Sequence, residues 1–382
     1  MLHPAVRALF CGFAFACSPL VMAEAEYHDS ELGRVSVEEV ARGLEFPWAV
    51  AFLPDEGAML VTERPGRLRL VDAEGRLSEP LEGVPQVYAR GQGGLLDVQL
   101  SPDFHKDRLI YLSYAHKGDD GKAGTAVGRG RLADDRRSLE GFTVIFQQLP
   151  RLSSGLHFGS RLVFDGDGRL FVALGENNQR PTAQDLDKHQ GKLVRIEADG
   201  QVPQDNPFVN TEGARPEIWS YGHRNPQGAA RNPWSGEVWT HEHGPRGGDE
   251  INIPQPGRNY GWPLATHGVD YSGRPISEAT GESAADTEPP HHVWRQSPAI
   301  SGMAFYDADR FAPWQQNLFV GALLDRSLIR LQLDGDKVVH DERLLKDMDE
   351  RIRDVRLGPD GYLYLLTDSP KGRLLRIGLA DR

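Results

Sequence analysis

From about residue 40 onward, apolar and polar residues alternate in short runs that come in pairs. In "WAVAFLPDEGAMLVTE", for example, one such run leads into a Pro/Asp/Gly turn, and a second run follows. Alternation with a period of two between turn residues predicts antiparallel strands, and almost no stretch has the spacing of an amphipathic helix. The pattern therefore predicts an all-β chain.

This strand–turn–strand unit occurs six times. The copies read "WAVAFLPDEGAMLVTE", "LDVQLSPDFHKDRLIYLSY", "SRLVFDGDGRLFVALGE", "QGAARNPWSGEVWTHE", "SGMAFYDADRFAPWQQNLFVGAL" and "RDVRLGPDGYLYLLTD". The turns are 48 to 74 residues apart, at Pro54, Pro102, Gly166, Pro233, Asp307 and Pro359. Six units of this size predict a six-bladed β-propeller with four strands per blade.

The two ends of the repeated region each contain a strand that could belong to the same blade. "GRLLRIGLAD" supplies a late strand of the last blade, and "RVSVEEVARG" reads as a strand before the first. We expect the N-terminal strand to complete the C-terminal blade and close the ring. Two β-sandwiches are the alternative, but no linker or low-complexity tract divides the chain, so we predict one domain over residues 24–382.

The first residues have a different composition, "MLHPAVRALFCGFAFACSPLVMAEAEY". One arginine precedes an apolar run that ends in a small-residue site at Val21–Ala23, which predicts a secretory signal peptide over residues 1–23. The run is short for a membrane anchor, and the sequence around Cys17 matches a lipoprotein site poorly. We therefore expect a periplasmic or secreted protein with no stable membrane insertion.

The positions of the cysteines and the net charge exclude several functions. Both cysteines, Cys11 and Cys17, lie in the predicted signal peptide, so the mature protein has neither disulfides nor a catalytic thiol. The formal net charge is −12, and loss of Arg7 with the signal peptide makes it −13. An acidic protein of this kind is not expected to bind nucleic acid.

Polar residues recur just before the innermost strand in four of the six copies. In a propeller this segment lies near the axis on one face, so equivalent positions should share one pocket; copies one and five have only "FPW" and "SPAIS" there. The polar residues are Arg90, Gln92, His157, Arg224, Asn225, Arg351 and Arg353.

Arginine forks match carboxylates and stack on flat rings, so this set favours a planar, polyanionic ligand. Alternatively, each arginine caps a strand or pairs with a surface carboxylate. His157 is either structural or, if it stays neutral, a general base. The chain has neither a nucleophile elbow nor a G-x-G-x-x-G motif, which argues against serine hydrolysis and a nicotinamide-binding Rossmann unit.

The loop "WTHEHGPRGGDEIN" combines two histidines with three carboxylates. Its histidines are two residues apart, which is not the zinc spacing H-E-x-x-H. Its oxygen ligands are Glu242, Asp249, Glu250 and the carbonyls of Gly244 and Pro245. They suit a hard cation such as calcium. Alternatively, Asp249 and Glu250 only hold the loop through backbone amides.

Taken in order, "RGQGGLLDVQLSPDF", "HFGSRLVF", "QGKLVRI", "GHRNPQG", "HGPRGGDEIN", "GRNYGWP" and "RIRDVRLGPDGYLYLLTD" resemble the soluble sugar dehydrogenases that depend on pyrroloquinoline quinone (PQQ). The chain is most similar to the bacterial aldose sugar dehydrogenases, from about residue 36 to 378. The resemblance implies a six-bladed propeller and a planar tricarboxylate cofactor.

The resemblance also implies a role for individual residues. His157 matches the base that takes the proton of the sugar's C1 hydroxyl while hydride passes to the quinone, and Arg224 would stabilise negative charge on the quinone oxygen. Calcium, acting as a Lewis acid on the quinone, would be held by the carbonyls of Gly244 and Pro245. Glu250 and Tyr260 match a further calcium site. The cofactor-binding positions are Gln92, Arg224, Asn225, Tyr271, Ala322, Leu323, Leu324, Arg351 and Arg353.

Two positions depart from the family pattern. Glu176 stands where the glucose enzymes have an aspartate beside the catalytic histidine, and the longer carboxylate can still orient that ring. Leu324 stands where relatives have a lysine for the cofactor. Its loss should weaken cofactor binding unless Arg326 or Arg90 substitutes.

These features together predict oxidation of an aldose at C1 to the lactone, with electrons passed to a diffusible acceptor. One alternative is a sugar- or glycan-binding propeller without a redox role. Another is a calcium-dependent lactonase, which would need side-chain carboxylates around an axial metal. The expected axial ring is cationic instead.

Overall fold

The computed structural model describes residues 25–54 and 57–380, whose 24 strands form six sheets. These sheets are the blades of a six-bladed propeller, as the repeats predicted. The innermost strand of each blade contacts those of the two neighbouring blades, which makes a closed ring. The predicted signal peptide lies outside the described residues. Within the described part of the chain, no helix is long and apolar enough to cross a membrane.

Strand bounds follow the chain order. Two strands precede the first blade: β1 (Glu26–His28) and β2 (Val35–Leu44). Blade 1 contains β3 (Pro47–Phe52), β4 (Met59–Glu63) and β5 (Arg67–Val71). Blade 2 contains β6 (Leu95–Leu100), β7 (Leu109–Lys117), β8 (Ala123–Leu132) and β9 (Leu139–Gln147). Blade 3 contains β10 (Gly159–Phe164), β11 (Leu170–Leu174), β12 (Lys192–Ile196) and β13 (Ile218–Tyr221).

The second half of the ring is built in the same way. Blade 4 contains β14 (Pro226–Arg231), β15 (Val238–Glu242), β16 (Asp249–Asn252) and β17 (His292–Trp294). Blade 5 contains β18 (Ile300–Tyr306), β19 (Asn317–Ala322), β20 (Ser327–Asp334) and β21 (Lys337–Leu344). Blade 6 contains β22 (Ile352–Leu357), β23 (Leu363–Thr367) and β24 (Gly372–Leu379).

Helices are few and short. The α-helix α1 (Phe104–Asp107) lies in the turn between β6 and β7. Three 3₁₀ segments occupy loops: Arg180–Gln184, Ala312–Trp314 and Lys346–Met348. In blade 1 the outer strand is reduced to a single bridge between Val71 and Leu77.

The ring closes through the N-terminal strand, as predicted. β2 pairs antiparallel with β24, from Val35 opposite Leu379 to Leu44 opposite Gly372. This makes β2 the fourth strand of blade 6, and β1 adds a fifth strand at its outer edge. The strand β2 is therefore tied to the last blade along its length, with register shifts between Glu39 and Ala41 and between Arg42 and Leu44.

Burial along the strands follows their position in the blade. All five residues of β11 are buried, because this second strand packs against neighbouring blades on both faces. Residues of β21, at an outer edge, are mostly exposed or half-buried. The apolar core consists of clusters that span adjacent blades, such as Tyr111 of β7 with Leu162 of β10.

The inner strands also bury an ion network, which we call the axial ion network: Asp97, Arg161, Asp354 and Arg356. Arg161 Nη1 lies 3.1 Å from Asp97 Oδ1 and 3.0 Å from Asp354 Oδ1. Arg356 lies 2.7 Å from Asp97 and 2.9 Å from Asp354. The guanidinium of Arg161 also stacks on Trp48 at 4.2 Å. The four network residues therefore join the inner strands of blades 2, 3 and 6, and the stacking on Trp48 adds that of blade 1.

Candidate functional site

In blades 3 to 6, the first residue of the inner strand lies opposite the last residue of the second strand. This register is seen in the pairs Gly159–Leu174, Pro226–Glu242, Ile300–Ala322 and Ile352–Thr367. Segments that enter inner strands and loops that leave second strands therefore lie on the same face of the ring. We call this face the site face.

His157 and Glu176 meet on the site face. Nδ1 of His157 lies 2.9 Å from Oε2 of Glu176, and both side chains are buried. The backbone N–H of His157 donates to Oε1 of Gln92 at 2.8 Å. Glu176 also accepts a hydrogen bond from the backbone N–H of Asn178. The carboxylate thus fixes the imidazole from one side and leaves Nε2 as the ring atom available to a ligand.

The backbone around this pair is unusual. His157 has φ of 51°, in the left-handed region that non-glycine residues rarely adopt. A side chain at Gly175 would place its Cβ 1.9 Å from the carbonyl oxygen of His157. Asn177 supports the same carbonyl through its side-chain amide at 3.2 Å. His157 is therefore held in a strained conformation by close backbone contact, as is common at functional sites.

Arg224 joins the histidine pair to the loop after β15. Its carbonyl accepts a hydrogen bond from the N–H of Glu176 at 3.0 Å, and its Nη1 donates to the carbonyl of His243 at 3.1 Å. Its guanidinium lies 5.3 Å from the ring of Trp262, and Nε is buried with no hydrogen-bond partner among the described residues. The next residue, Asn225, accepts the N–H of Gly159 at 3.2 Å.

A pocket of about 220 Å³ opens beside Glu176 and Arg224. Tyr271 lines it and is 71 % exposed, so its ring stands at the entrance. The full lining is Glu176, Asn178, Arg180, Arg224, Pro245, Trp262, Asp270, Tyr271 and Ile276. Arg180 bridges Asp270 at 2.9 Å and Glu278 at 3.4 Å, which links two loops across the pocket wall.

Arg351 and Arg353 share one carboxylate, that of Asp368. Arg351 donates to Asp368 Oδ2 at 2.8 Å, and Arg353 Nη2 lies 3.3 Å from the same atom. Arg353 is buried, which lowers its pKa, and its Nε has no partner among the described residues. Burial raises the pKa of Asp368, but the charge of Arg353 and the hydrogen bond from Arg351 outweigh it and leave the pKa below its usual value.

The segment Ala322–Leu324 contributes mainly backbone. Ala322 is fully buried in the core, and the carbonyl of Leu323 accepts Arg351 Nη1 at 3.1 Å. The Leu324 side chain is 67 % exposed. Arg326 pairs with Asp349 at 2.7 Å, so it is already engaged by a carboxylate.

The loop after β15 surrounds a second, much smaller cavity of about 20 Å³. It shares Arg224 and Trp262 with the larger pocket, and Gly244, Glu250 and Tyr260 line it together with Glu242. The Tyr260 hydroxyl donates to the carbonyl of Ile253 at 2.8 Å. A cavity of this size holds one water molecule or one ion.

Two acidic side chains lie next to each other at this small cavity. The carboxylates of Glu242 and Glu250 both accept from Asn252 Nδ2, at 3.3 and 2.9 Å. Burial, together with the charge of Glu242, raises the pKa of Glu250 well above its usual value. Across residues 25–54 and 57–380, no three His, Cys, Asp or Glu side chains converge as a metal site. A cation here would therefore need backbone carbonyls as ligands.

The remaining polar residues of the loop are structural. Asp249 accepts the N–H of Gly244 at 3.0 Å and that of Ile300 at 3.2 Å, so it does hold the loop through backbone amides. Burial lowers the pKa of His243 to about 4, and His243 bonds the carbonyl of Ile300. Burial lowers the pKa of His241 well below its usual value.

Sequence reasoning missed Asp368 and Trp262. Asp368 directly follows β23, at the position that His243 has after β15 and Leu323 has after β19. A search of the residues after each second strand would have found it. Trp262 lies in a long loop without repeat symmetry, so no comparable signal exists for it.

The chain matches the sequence profile of Glucose / Sorbosone dehydrogenase over residues 44–376. It is 62 % identical over 343 residues to aldose sugar dehydrogenase YliI of Escherichia coli K12, covering 90 % of this chain and 92 % of that protein. The apo-form structure of the soluble aldose sugar dehydrogenase from Escherichia coli superimposes with a TM-score of 0.89 at 62 % identity, covering 91 % and 100 % of the two chains. The PQQ-bound aldose sugar dehydrogenase from Streptomyces coelicolor superimposes with a TM-score of 0.74 at 28 % identity, covering 90 % and 98 %.

Proposed function

The chain belongs to the glucose/sorbosone dehydrogenase family, and from that premise we propose that it oxidises aldose sugars at C1 to the lactone, using PQQ and calcium. The observation that carries the proposal is the buried His157–Glu176 pair, whose carboxylate also lines the pocket that contains Arg224. A base, a cation and an open pocket are the parts that the protein would supply for hydride transfer from a sugar to a bound acceptor.

The residues present fit a planar polyanion such as PQQ. Arg224 and Arg353 each keep a buried Nε without a partner in the described part of the chain, so both have a hydrogen-bond donor left for an anionic ligand. Trp262 provides a flat aromatic surface beside Arg224. Residues that would hold the cofactor are Gln92, Arg224, Asn225, Tyr271, Arg351 and Arg353, with Ala322–Leu324 as the adjoining wall.

The small cavity fits a calcium ion. It has the volume of one ion and is lined by the carboxyl groups of the buried Glu242 and the half-buried Glu250, and hard oxygen ligands are those that calcium prefers. Gly244 and Pro245 would contribute carbonyl oxygens to the calcium that acts on the quinone, because Pro245 lines the larger pocket. Glu250 and Tyr260 would hold a further calcium ion in the small cavity. Because the Tyr260 hydroxyl is already bonded within the protein, Tyr260 would contribute its carbonyl, next to the carboxylate of Glu250.

When bound, the quinone supplies a two-electron acceptor for the hydride from C1, and calcium polarises that acceptor. Neutral His157 takes the proton of the C1 hydroxyl at Nε2. Glu176 holds Nδ1, fixes the tautomer and stabilises the imidazolium that forms. Arg224 stabilises negative charge that develops on the acceptor oxygen.

We further propose that residues 24–382 act as a single propeller domain in the periplasm or outside the cell, after removal of residues 1–23. The reduced protein would pass its electrons to a diffusible acceptor. A lactonase is less well supported, because the carboxylates of the axial ion network are neutralised by Arg161 and Arg356.

The proposal is tested by adding PQQ and calcium to the purified cofactor-free protein and following dye reduction with glucose and other aldoses. We expect activity that requires both additions and is lost in His157→Ala. A protein that binds sugars but neither binds PQQ nor reduces the dye would support a non-redox sugar-binding propeller instead.

A further inference from the structure

Arg64 occupies a position on the site face. It directly follows β4, and Pro47 lies opposite Glu63 in the same register that opens the inner strands of blades 3 to 6. Arg64 is therefore the blade 1 equivalent of His243, Leu323 and Asp368, each of which directly follows a second strand. Before its inner strand, blade 1 has no cation but only Glu45, which pairs with Arg67, and Phe46. Its cation on the site face comes from the loop after β4.

Backbone hydrogen bonds anchor Arg64 between two segments that carry site residues. Its N–H donates to the carbonyl of Phe46 at 3.0 Å, and the N–H of Phe46 donates to Ser369, next to Asp368, at 2.8 Å. Its carbonyl accepts the N–H of Leu95 at 3.1 Å. A Cβ at Gly94 would lie 2.5 Å from Arg64 Cγ, so the side chain runs alongside the loop that carries Gln92.

The guanidinium of Arg64 has no anionic partner among the described residues. It lies 4.8 Å over the ring of Phe46, and no carboxylate of residues 25–54 or 57–380 bonds it. Its positive charge acts on Arg353 and Asp368, since it further lowers the pKa of both. Arg351 and Arg353 contact the carboxylate of Asp368, and the charge of Arg64 acts on the same carboxylate without a hydrogen bond. This corner of the site has a surplus of positive charge that an anionic ligand would neutralise.

We propose that Arg64 binds a carboxylate of the cofactor and supplies the cation that Leu324 does not. Arg326 is paired with Asp349, whereas Arg64 retains its donors for a ligand. A guanidinium suits this task because its fork matches a carboxylate with two parallel hydrogen bonds. This inference rests on the proposed function, since it takes a planar tricarboxylate as the ligand.

The test is a titration of the cofactor-free protein with PQQ in the presence of calcium, followed by quenching of tryptophan fluorescence. We expect Arg64→Gln to raise the Kd by about ten- to a hundredfold, the loss typical of a hydrogen bond to a charged group. Arg64→Lys should lose less. Arg76→Gln is the matched control, because Arg76 is exposed and pairs with Asp72 and Glu74. Circular dichroism would establish that each variant is folded.

Two further measurements test whether the lost affinity comes from a carboxylate of the cofactor. The trimethyl ester of PQQ lacks the carboxylate charges, so wild type and Arg64→Gln should bind it equally. Leu324→Lys introduced into Arg64→Gln should recover most of the affinity. A Kd for Arg64→Gln within twofold of wild type would overturn the inference while leaving the proposed function intact. Absence of PQQ binding in the wild type would overturn the proposed function and, with it, this inference.

Discussion

His157 and Glu176 are joined by a 2.9 Å contact between Nδ1 and Oε2, inside a site where both side chains are buried. A carboxylate in this position holds the tautomer with a free Nε2 and stabilises the charge that the ring gains when it accepts a proton. Substitution of either residue should therefore lower the activity by a measurable amount.

Glu176→Gln removes the negative charge but keeps the size of the side chain. We expect kcat to fall on the order of 100- to 10,000-fold, because the base His157 loses the carboxylate that fixes its tautomer and stabilises its charge, with a much smaller effect on PQQ affinity. Glu176→Asp keeps the charge and should retain most of the activity. Steady-state dye reduction and PQQ titration would separate the two effects. A Gln variant within threefold of wild type would show that Glu176 only fills space.

Gly175 lies so close to His157 that only a residue without a side chain fits. In Gly175→Ala, the new Cβ would lie 1.9 Å from the carbonyl oxygen of His157, so the backbone around the histidine must move. We expect a loss of about 1–3 kcal/mol in the free energy of unfolding and a clear loss of kcat.

Gly155→Ala is the matched control for this change. The nearest atom to its Cβ would be 3.6 Å away, which is an ordinary contact. Denaturant unfolding and dye-reduction kinetics on both variants would check the prediction. Equal effects of the two substitutions would contradict it.

Much of this architecture could be predicted from the sequence, because each blade repeats the same strand–turn–strand pattern. The number of blades, the closing strand and the residues that precede the inner strands all followed from that repeat. Arg64 and Asp368 were missed because they follow second strands, a position at which the repeat pattern was not searched. The pairing of Asp97 with Arg161 and Asp354 depends on how blades 2, 3 and 6 are oriented around the axis, which no local pattern records.

Substitution of Asp97 tests whether the axial ion network stabilises the fold. Asp97→Asn leaves Arg161 and Arg356 buried with only Asp354 as a counter-charge, and breaking a buried pair of this kind costs about 3–5 kcal/mol. We therefore expect a large fall in the midpoint of thermal unfolding. Asp72→Asn, which breaks an exposed pair with Arg76, should leave the midpoint unchanged. Similar midpoints for the two variants would contradict a structural role for the network.

Asp368 should make stability depend on pH in a defined direction. Its pKa is lower in the folded protein than its unfolded value of about 3.9, so the stabilisation is present above that value and is lost as pH falls through the folded pKa. In cofactor-free protein, wild type should melt at a higher temperature than Asp368→Asn, and this excess should be constant between pH 7 and 5. It should shrink below pH 4. An excess that does not change down to pH 3 would contradict the assigned ion pairs.

Closure of the ring by β2 and β24 has a consequence for biosynthesis. Val35 precedes all the other blades along the chain, whereas its partner Leu379 follows them. Blades 1 to 5 can form from their own local segments, yet blade 6 exposes an unpaired strand edge until β24 pairs with β2. A chain interrupted before Gly372 would therefore lack the whole closing ladder. It would become a target for aggregation or proteolysis despite containing nearly every site residue.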